Sequence, residues 1–112
     1  MRLTSRTDDG RLIVTVAENR IDAASAIAFK EALRSLTDGF GGAVILGLDQ
    51  VDFIDSSGLG AIVAAMKQLG GERRLHLAGL TPNVDRVFRL TRMDTVFPIH
   101  ADVKGALEQN DS

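Results

Sequence analysis

The chain contains no cysteine, no tryptophan and no tyrosine, and only two prolines. Without thiols there is no disulfide framework, no thiolate nucleophile and no zinc pattern built on cysteine ligands. Five phenylalanines are the whole aromatic complement. Platforms for stacking bases or sugars are therefore scarce, and the core must be aliphatic. The longest apolar runs fall well short of the roughly 20 residues that cross a bilayer, so no direct membrane insertion is expected. Met1-Arg2-Leu3-Thr4-Ser5-Arg6 lacks the apolar stretch of a signal peptide, which makes a cytoplasmic location the default expectation. An excess of positive charge is missing too. A formal net charge of −2 gives no electrostatic reason to bind nucleic acid.

What is present suits one globular domain: 112 residues with 45% hydrophobic content can bury a single core. No linker, repeat or low-complexity block divides the chain. We expect one domain over 1–112, with its core at about 3–108. Asp8-Asp9-Gly10 is a turn signal between extended runs Leu3–Arg6 and Leu12–Ala17, which predicts an opening hairpin. Asp22 is placed to cap a helix whose Phe29, Leu33 and Leu36 line one face, with Ala26 and Ala32 beside them. Asp38-Gly39-Phe40-Gly41-Gly42 breaks that helix. Ala43–Leu48 is apolar throughout, the pattern of a parallel strand covered on both faces.

A central helix follows over Ser57–Leu69, stopped by Gly70-Gly71. Arg74–Ala78 alternates in character, which predicts a strand with one face toward water. Thr81-Pro82 starts a third helix, with Pro at the first helical position. Val84, Val87, Phe88 and Leu90 are expected inward, and the helix is expected to run to about Met93. Val96–Ile99 reads as a last strand, and Asp102 begins a terminal helix through Leu107. The order β-β-α-β-α-β-α-β-α predicts an α/β domain. Its mixed sheet has about four to five strands, and its helices lie mainly on one face.

The segment Asp55-Ser56-Ser57-Gly58-Leu59-Gly60 carries the most chemistry. It puts small hydroxyls where a strand hands over to a helix, beside exposed backbone N–H donors. Ser56 and Ser57 suit N-cap positions, and Asp55 is favoured there by the helix dipole. A phosphate would enjoy the same dipole, and it adds about −1.5 to −2 of charge. Capping alone and a modifiable docking point are both compatible with these residues. In the helix, Leu59, Ile62, Val63, Met66 and Leu69 recur at core spacing, which leaves Gly58, Gly60, Ala61, Ala64 and Ala65 as a small-residue surface. A glycine costs a helix about 1 kcal/mol relative to alanine. Two in the first turns therefore need a reason: either close approach of a partner, or tight packing on the chain's own sheet.

Catalytic readings are weaker. Asp55 stands where a Gly-x-Ser-x-Gly elbow needs glycine, if Ser57 is the nucleophile. The histidines, His76 and His100, read as ordinary sheet-face residues. His100 at a strand end is the better placed to approach the serine loop. No Gly-rich stretch matches a nucleotide cradle. Arg86, Arg89 and Arg92 make a three-residue stripe that suits a solvated face, with Asp85 placed to pair with Arg89.

Val51-Asp52-Phe53-Ile54-Asp55-Ser56-Ser57-Gly58-Leu59-Gly60 resembles the signature of STAS domains, particularly the bacterial anti-sigma factor antagonists. The likeness covers nearly the whole chain. Asn19-Arg20-Ile21-Asp22 sits where the family usually has Gly-x-Leu/Ile-Asp. Pro82-Asn83-Val84-Asp85-Arg86-Val87-Phe88 is similar to its Pro-x-Val-x-Arg-x-Phe helix. Two departures stand out: Asn19 replaces a glycine, and Thr91-Arg92-Met93 stands where many members end the third helix with Gly-Leu. The resemblance implies a non-enzymatic partner switch. The unmodified antagonist binds an anti-sigma factor, typically a GHKL-type serine kinase, and so frees a sigma factor. Phosphorylation at the position of Ser56 ends the complex, and a PP2C-type phosphatase restores it. By position, Asp22 and Asp55 flank the phosphosite, and Ser57, Gly58, Leu59, Gly60 and Ala61 form the docking rim. ATP and Mg2+ then belong to the kinase, with no cofactor or metal held by this chain. The same resemblance also admits a non-switching subunit of a lipid-transporting ABC complex at the membrane.

Overall fold

Asp9 and Gly10 reverse the chain at its start, with φ of 52° and 75°. Two consecutive positive φ values make the tight turn whose twist matches a hairpin. The strands it joins are β1 (Leu3–Asp8) and β2 (Arg11–Val16), paired antiparallel with Asp8 opposite Arg11. The computed structural model describes residues 1–70 and 74–108. The remaining elements are β3 (Arg20–Ile21), α1 (Ala26–Thr37), β4 (Val44–Gly47), β5 (Phe53–Ile54), α2 (Ser56–Gln68), β6 (Leu75–Ala78), α3 (Pro82–Leu90), a 3-10 turn at Met93–Thr95, β7 (Ile99–His100) and α4 (Val103–Glu108).

The main sheet has the order β1-β2-β4-β6-β7. Beyond the hairpin every pairing is parallel. Every residue of β4 is buried, as its unbroken apolar run predicts. Alternate side chains of the strands serve two cores. Val14, Val16, Leu46, Leu75 and Leu77 face Phe29 and Leu33 of α1, Ile62 and Met66 of α2, and Val84 and Phe88 of α3. Ile13, Ile45 and Ala78 face the other way, against Ala106 of α4. Three helices thus cover one face, and the short α4 covers part of the other.

α4 also explains a departure from expectation in β6. The alternation there predicted a wetted face, yet all four residues are buried. His76 is the polar member, and its Nδ1 lies 3.0 Å from His100 Nε2. The ring centroids are 5.2 Å apart with planes 7° from parallel, so the imidazoles meet edge to edge through one hydrogen bond. His100 is therefore brought to His76.

Three boundaries move in the second half. α3 ends at Leu90 rather than near Met93. Leu90, expected inward, is 77% exposed, because two residues past Phe88 is about 200° around a helix. Arg92 takes the left-handed conformation, φ 61°, at the position where glycine would stop a helix without strain. The 3-10 turn then takes up the chain before β7, so the last strand is Ile99–His100 instead of Val96–Ile99. Gly70, at φ 100°, follows α2; Gly71, expected to share in stopping that helix, lies outside the described residues.

Candidate functional site

β3 and β5 are two residues each, too short for periodicity to reveal, and they build the site. They pair in parallel as a separate small sheet, with Arg20 opposite Phe53 and Ile21 opposite Ile54. Each is followed at once by an aspartate, so the register sets Asp22 beside Asp55. A sequence signal for this pairing existed: Ile-Asp occurs at 21–22 and again at 54–55.

Asp55 is the N-cap of α2. Its Oδ1 accepts from Gly58 N at 2.9 Å, and its Oδ2 accepts from Ala23 N at 3.1 Å. One carboxylate therefore closes its own helix and ties that helix to the loop before α1. The Gly58 N–H is the main reason that the carboxyl group is held below its ordinary value, with the Ala23 and Ser57 N–H groups adding to it. The cap is thus Asp55, and the two serines expected at or near it begin the first helical turn. Asp22 was expected to cap α1 itself. Instead it closes the turn one step earlier, where its Oδ1 accepts from Ala24 N at 3.1 Å and from Ser25 N and Oγ, each at 3.2 Å. Its Oδ2 pairs with Arg20 Nε at 2.9 Å. Arg20 also covers the Phe53 ring, 4.6 Å from its centroid.

Ser56 is the opposite of its neighbour. It is exposed, and among the described residues its hydroxyl has no hydrogen-bond partner. Ser57 and Gly60 are exposed as well, and Leu59 is half-buried. Gly58 and Ala61, carried into the docking rim by resemblance, are not on the surface. Ala61 is buried in the core. A Cβ on Gly58 would collide with the Ile21 carbonyl oxygen and meet Ile54 Cγ1 at 2.9 Å, whereas one on Gly60 would meet nothing within 4 Å. The two glycines thus answer separately the question that the sequence left open. Gly58 lets α2 press onto β3, and Gly60 flattens the outer face.

Two exposed apolar residues that sequence reasoning passed over lie on α1 and β5. Phe53 is 42% exposed, and Ile27, in the first turn of α1, is 67% exposed. A large apolar side chain held in water at a helix face is the signal for Ile27, and it needs structure to be seen. Among the described residues no three His, Cys, Asp or Glu side chains gather as a metal site. On α3, Arg89 pairs with Asp85 at 2.8 Å, as a solvated stripe would.

Comparison with known proteins identifies the family. The STAS-domain family profile matches residues 2–106. BtrV of Bordetella bronchiseptica, named a candidate anti-sigma factor antagonist, is 31% identical over 100 residues, covering 88% of this chain and 85% of that one. The anti-sigma-B factor antagonist of Listeria monocytogenes is 33% identical over 93 residues, covering 82% and 81%. An anti-sigma factor antagonist structure from Mycobacterium paratuberculosis superposes with a TM-score of 0.82 at 28% identity, over 95% of this chain and 90% of that one. With the profile spanning nearly its whole length and the sheet and helices in the expected places, the chain belongs to the STAS-domain family.

Proposed function

We propose that this protein is an anti-sigma factor antagonist working in a phosphorylation-controlled partner switch. The unmodified form binds an anti-sigma factor that is also a GHKL-type serine kinase, and a sigma factor is freed. The kinase phosphorylates Ser56 and the complex ends; a PP2C-type phosphatase returns the protein to its binding form. The proposed setting is the cytoplasm, with no nucleic acid bound by this chain. The relatives' shared name supports the partner class. The observation that carries the switch is the contrast at the helix start. Both Asp55 carboxylate oxygens accept backbone N–H groups, while the adjacent Ser56 hydroxyl is exposed and, among the described residues, unpartnered.

The physics of such a switch is local. A phosphoryl group on Ser56 lies at the positive end of α2, so the helix tolerates it. It adds negative charge beside Asp22 and Asp55, and any docked surface must then desolvate that charge. Ser56, Ser57 and Gly60 form the contact rim in this reading, with Leu59 at its margin. Asp22 and Asp55 shape it from beside, and Gly58 and Ala61 from beneath.

The test is phosphate mapping. The protein is incubated with its anti-sigma factor kinase and ATP, and modified peptides are sequenced by mass spectrometry. Phosphate confined to Ser56, and lost in Ser56→Ala, is expected. Phosphate elsewhere, or none, contradicts the proposal. Stable co-purification with a membrane ATPase and indifference to Ser56→Asp would point instead to a constitutive subunit.

A further inference from the structure

β1 stands at the end of the sheet and, among the described residues, is paired on one side only. Which backbone groups face outward can be worked out. Ala17 N donates to Arg2 O at 2.9 Å, and this pair is the next step beyond Leu3–Val16 in the hairpin register. Antiparallel pairs alternate between bonded and non-bonded. Arg2, Thr4, Arg6 and Asp8 therefore direct their N–H and C=O groups to β2, and Leu3, Ser5 and Thr7 direct theirs away from the sheet. Such an edge is a template for another strand, and β1 contains no proline or glycine to blunt it. Of its residues only Leu3 is half-buried, packed against the core on the α1 side. Ser5 and Thr7 on the α1 side are exposed, and so are Thr4, Arg6 and Asp8 on the α4 side.

We propose that the occupant of this edge is a second copy of the chain, with the two β1 strands antiparallel about a two-fold axis at Ser5. The charges choose the partner and the register. Three registers pair two or more of these outward residues between the copies. Centred on Thr4, the pairing sets Arg2 against Arg6 of the other copy. Centred on Arg6, it sets Arg6 against itself. Like charges directly opposite destabilise a sheet. Centred on Ser5, it sets Arg2 against Asp8 twice, by symmetry, and Thr4 against Arg6. Leu3 then bonds with Thr7 and Ser5 with Ser5, so each outward N–H and C=O finds a partner. In the free chain Arg6 Nη1 lies 3.1 Å from Asp8 and Arg2 Nε 3.6 Å from Glu18. The first is exposed and the second partly so, and such side-chain pairs are of small intrinsic worth; the Arg2 guanidinium can turn to the other copy while its backbone N–H keeps its bond to Glu18. The contact is self-complementary and closed, as a two-fold interface must be. The axis runs through the sheet, so both copies keep α2 on the same face, and the particle presents two Ser56 rims on one side.

Sedimentation from micromolar to millimolar concentration tests this. Wild type is expected to reach twice the mass of the chain. Ser5→Pro removes an outward N–H that β2 does not use; it is expected to keep the circular dichroism spectrum and remain monomeric. Arg2→Asp alone sets carboxylate against carboxylate at both ends of the contact. Asp8→Arg alone sets guanidinium against guanidinium there, so each variant is expected to be monomeric. Mixed together, the two variants restore two opposite-charge pairs and are expected to form a heterodimer. A wild type that stays monomeric throughout, a Ser5→Pro variant that still dimerises, or a mixture that stays monomeric overturns the proposal.

Discussion

The two sides of α2 obey different rules. On the inner side Gly58, Ala61, Ile62, Ala65 and Met66 are buried, and a single added methyl at Gly58 has nowhere to go. On the outer side Ser56, Ser57, Gly60 and Ala64 face solvent, and the same methyl at Gly60 meets nothing. Glycine and alanine stand on both sides, so smallness alone carries no single meaning. Inside, it lets the helix approach β3, whose register with β5 sets Asp22 beside Asp55. Outside, it leaves a low surface around the exposed hydroxyls of Ser56 and Ser57.

The largest effect expected is that of Gly58→Ala. The intruding Cβ meets backbone, which cannot rotate aside, and we expect a loss of about 3 kcal/mol in urea unfolding. Next is Asp55→Ala, which unties both Gly58 N and Ala23 N and is expected to lower the urea midpoint at neutral pH. The folded carboxyl titrates below its ordinary 3.8, chiefly because of the Gly58 N–H. Its contribution is therefore complete above the unfolded value and disappears as pH falls through the folded one. The midpoints of wild type and Asp55→Ala should converge in that acid range.

Gly60→Ala should do the reverse of Gly58→Ala, adding up to about 1 kcal/mol of stability through helix propensity. Gly60→Leu at the same place should also raise the unfolding midpoint, since leucine is nearly as good a helix former as alanine, and yet weaken docking to the anti-sigma factor, read by calorimetric titration. Equal losses of stability at Gly58 and Gly60 would erase the distinction between the two sides. The smallest effect lies outside α2 and serves as its control. Arg92→Gly relieves a left-handed φ that costs a side chain about 1 kcal/mol or more, less the added chain entropy. A gain of about 0.5 kcal/mol, with docking unaffected, is expected from that difference.

Much of this was legible before the structure. The hairpin turn, the doubly buried β4 and the inward stripe of α1 follow from local chemistry and periodicity, which one chain segment carries by itself. The failures share a cause: they depend on what lies opposite. β3 and β5 exist only as a pair, so neither two-residue segment announces itself. β6 looked half-wet because α4 could not be seen lying over Ala78, nor His100 reaching His76. Leu90 looked buried by composition, although its angle from Phe88 places it outward. At the site, Ser56 and Asp55 stood out in the sequence. The separate fates of Gly58 and Gly60 did not, because they turn on the position of one carbonyl oxygen, that of Ile21.

The most direct measurement compares affinity before and after modification. The purified anti-sigma factor is titrated into the unmodified protein and into protein stoichiometrically phosphorylated on Ser56. We expect the second affinity to be lower by about a hundredfold, close to 2.8 kcal/mol, with the fold intact by circular dichroism. Equal affinities for the two forms would contradict the account.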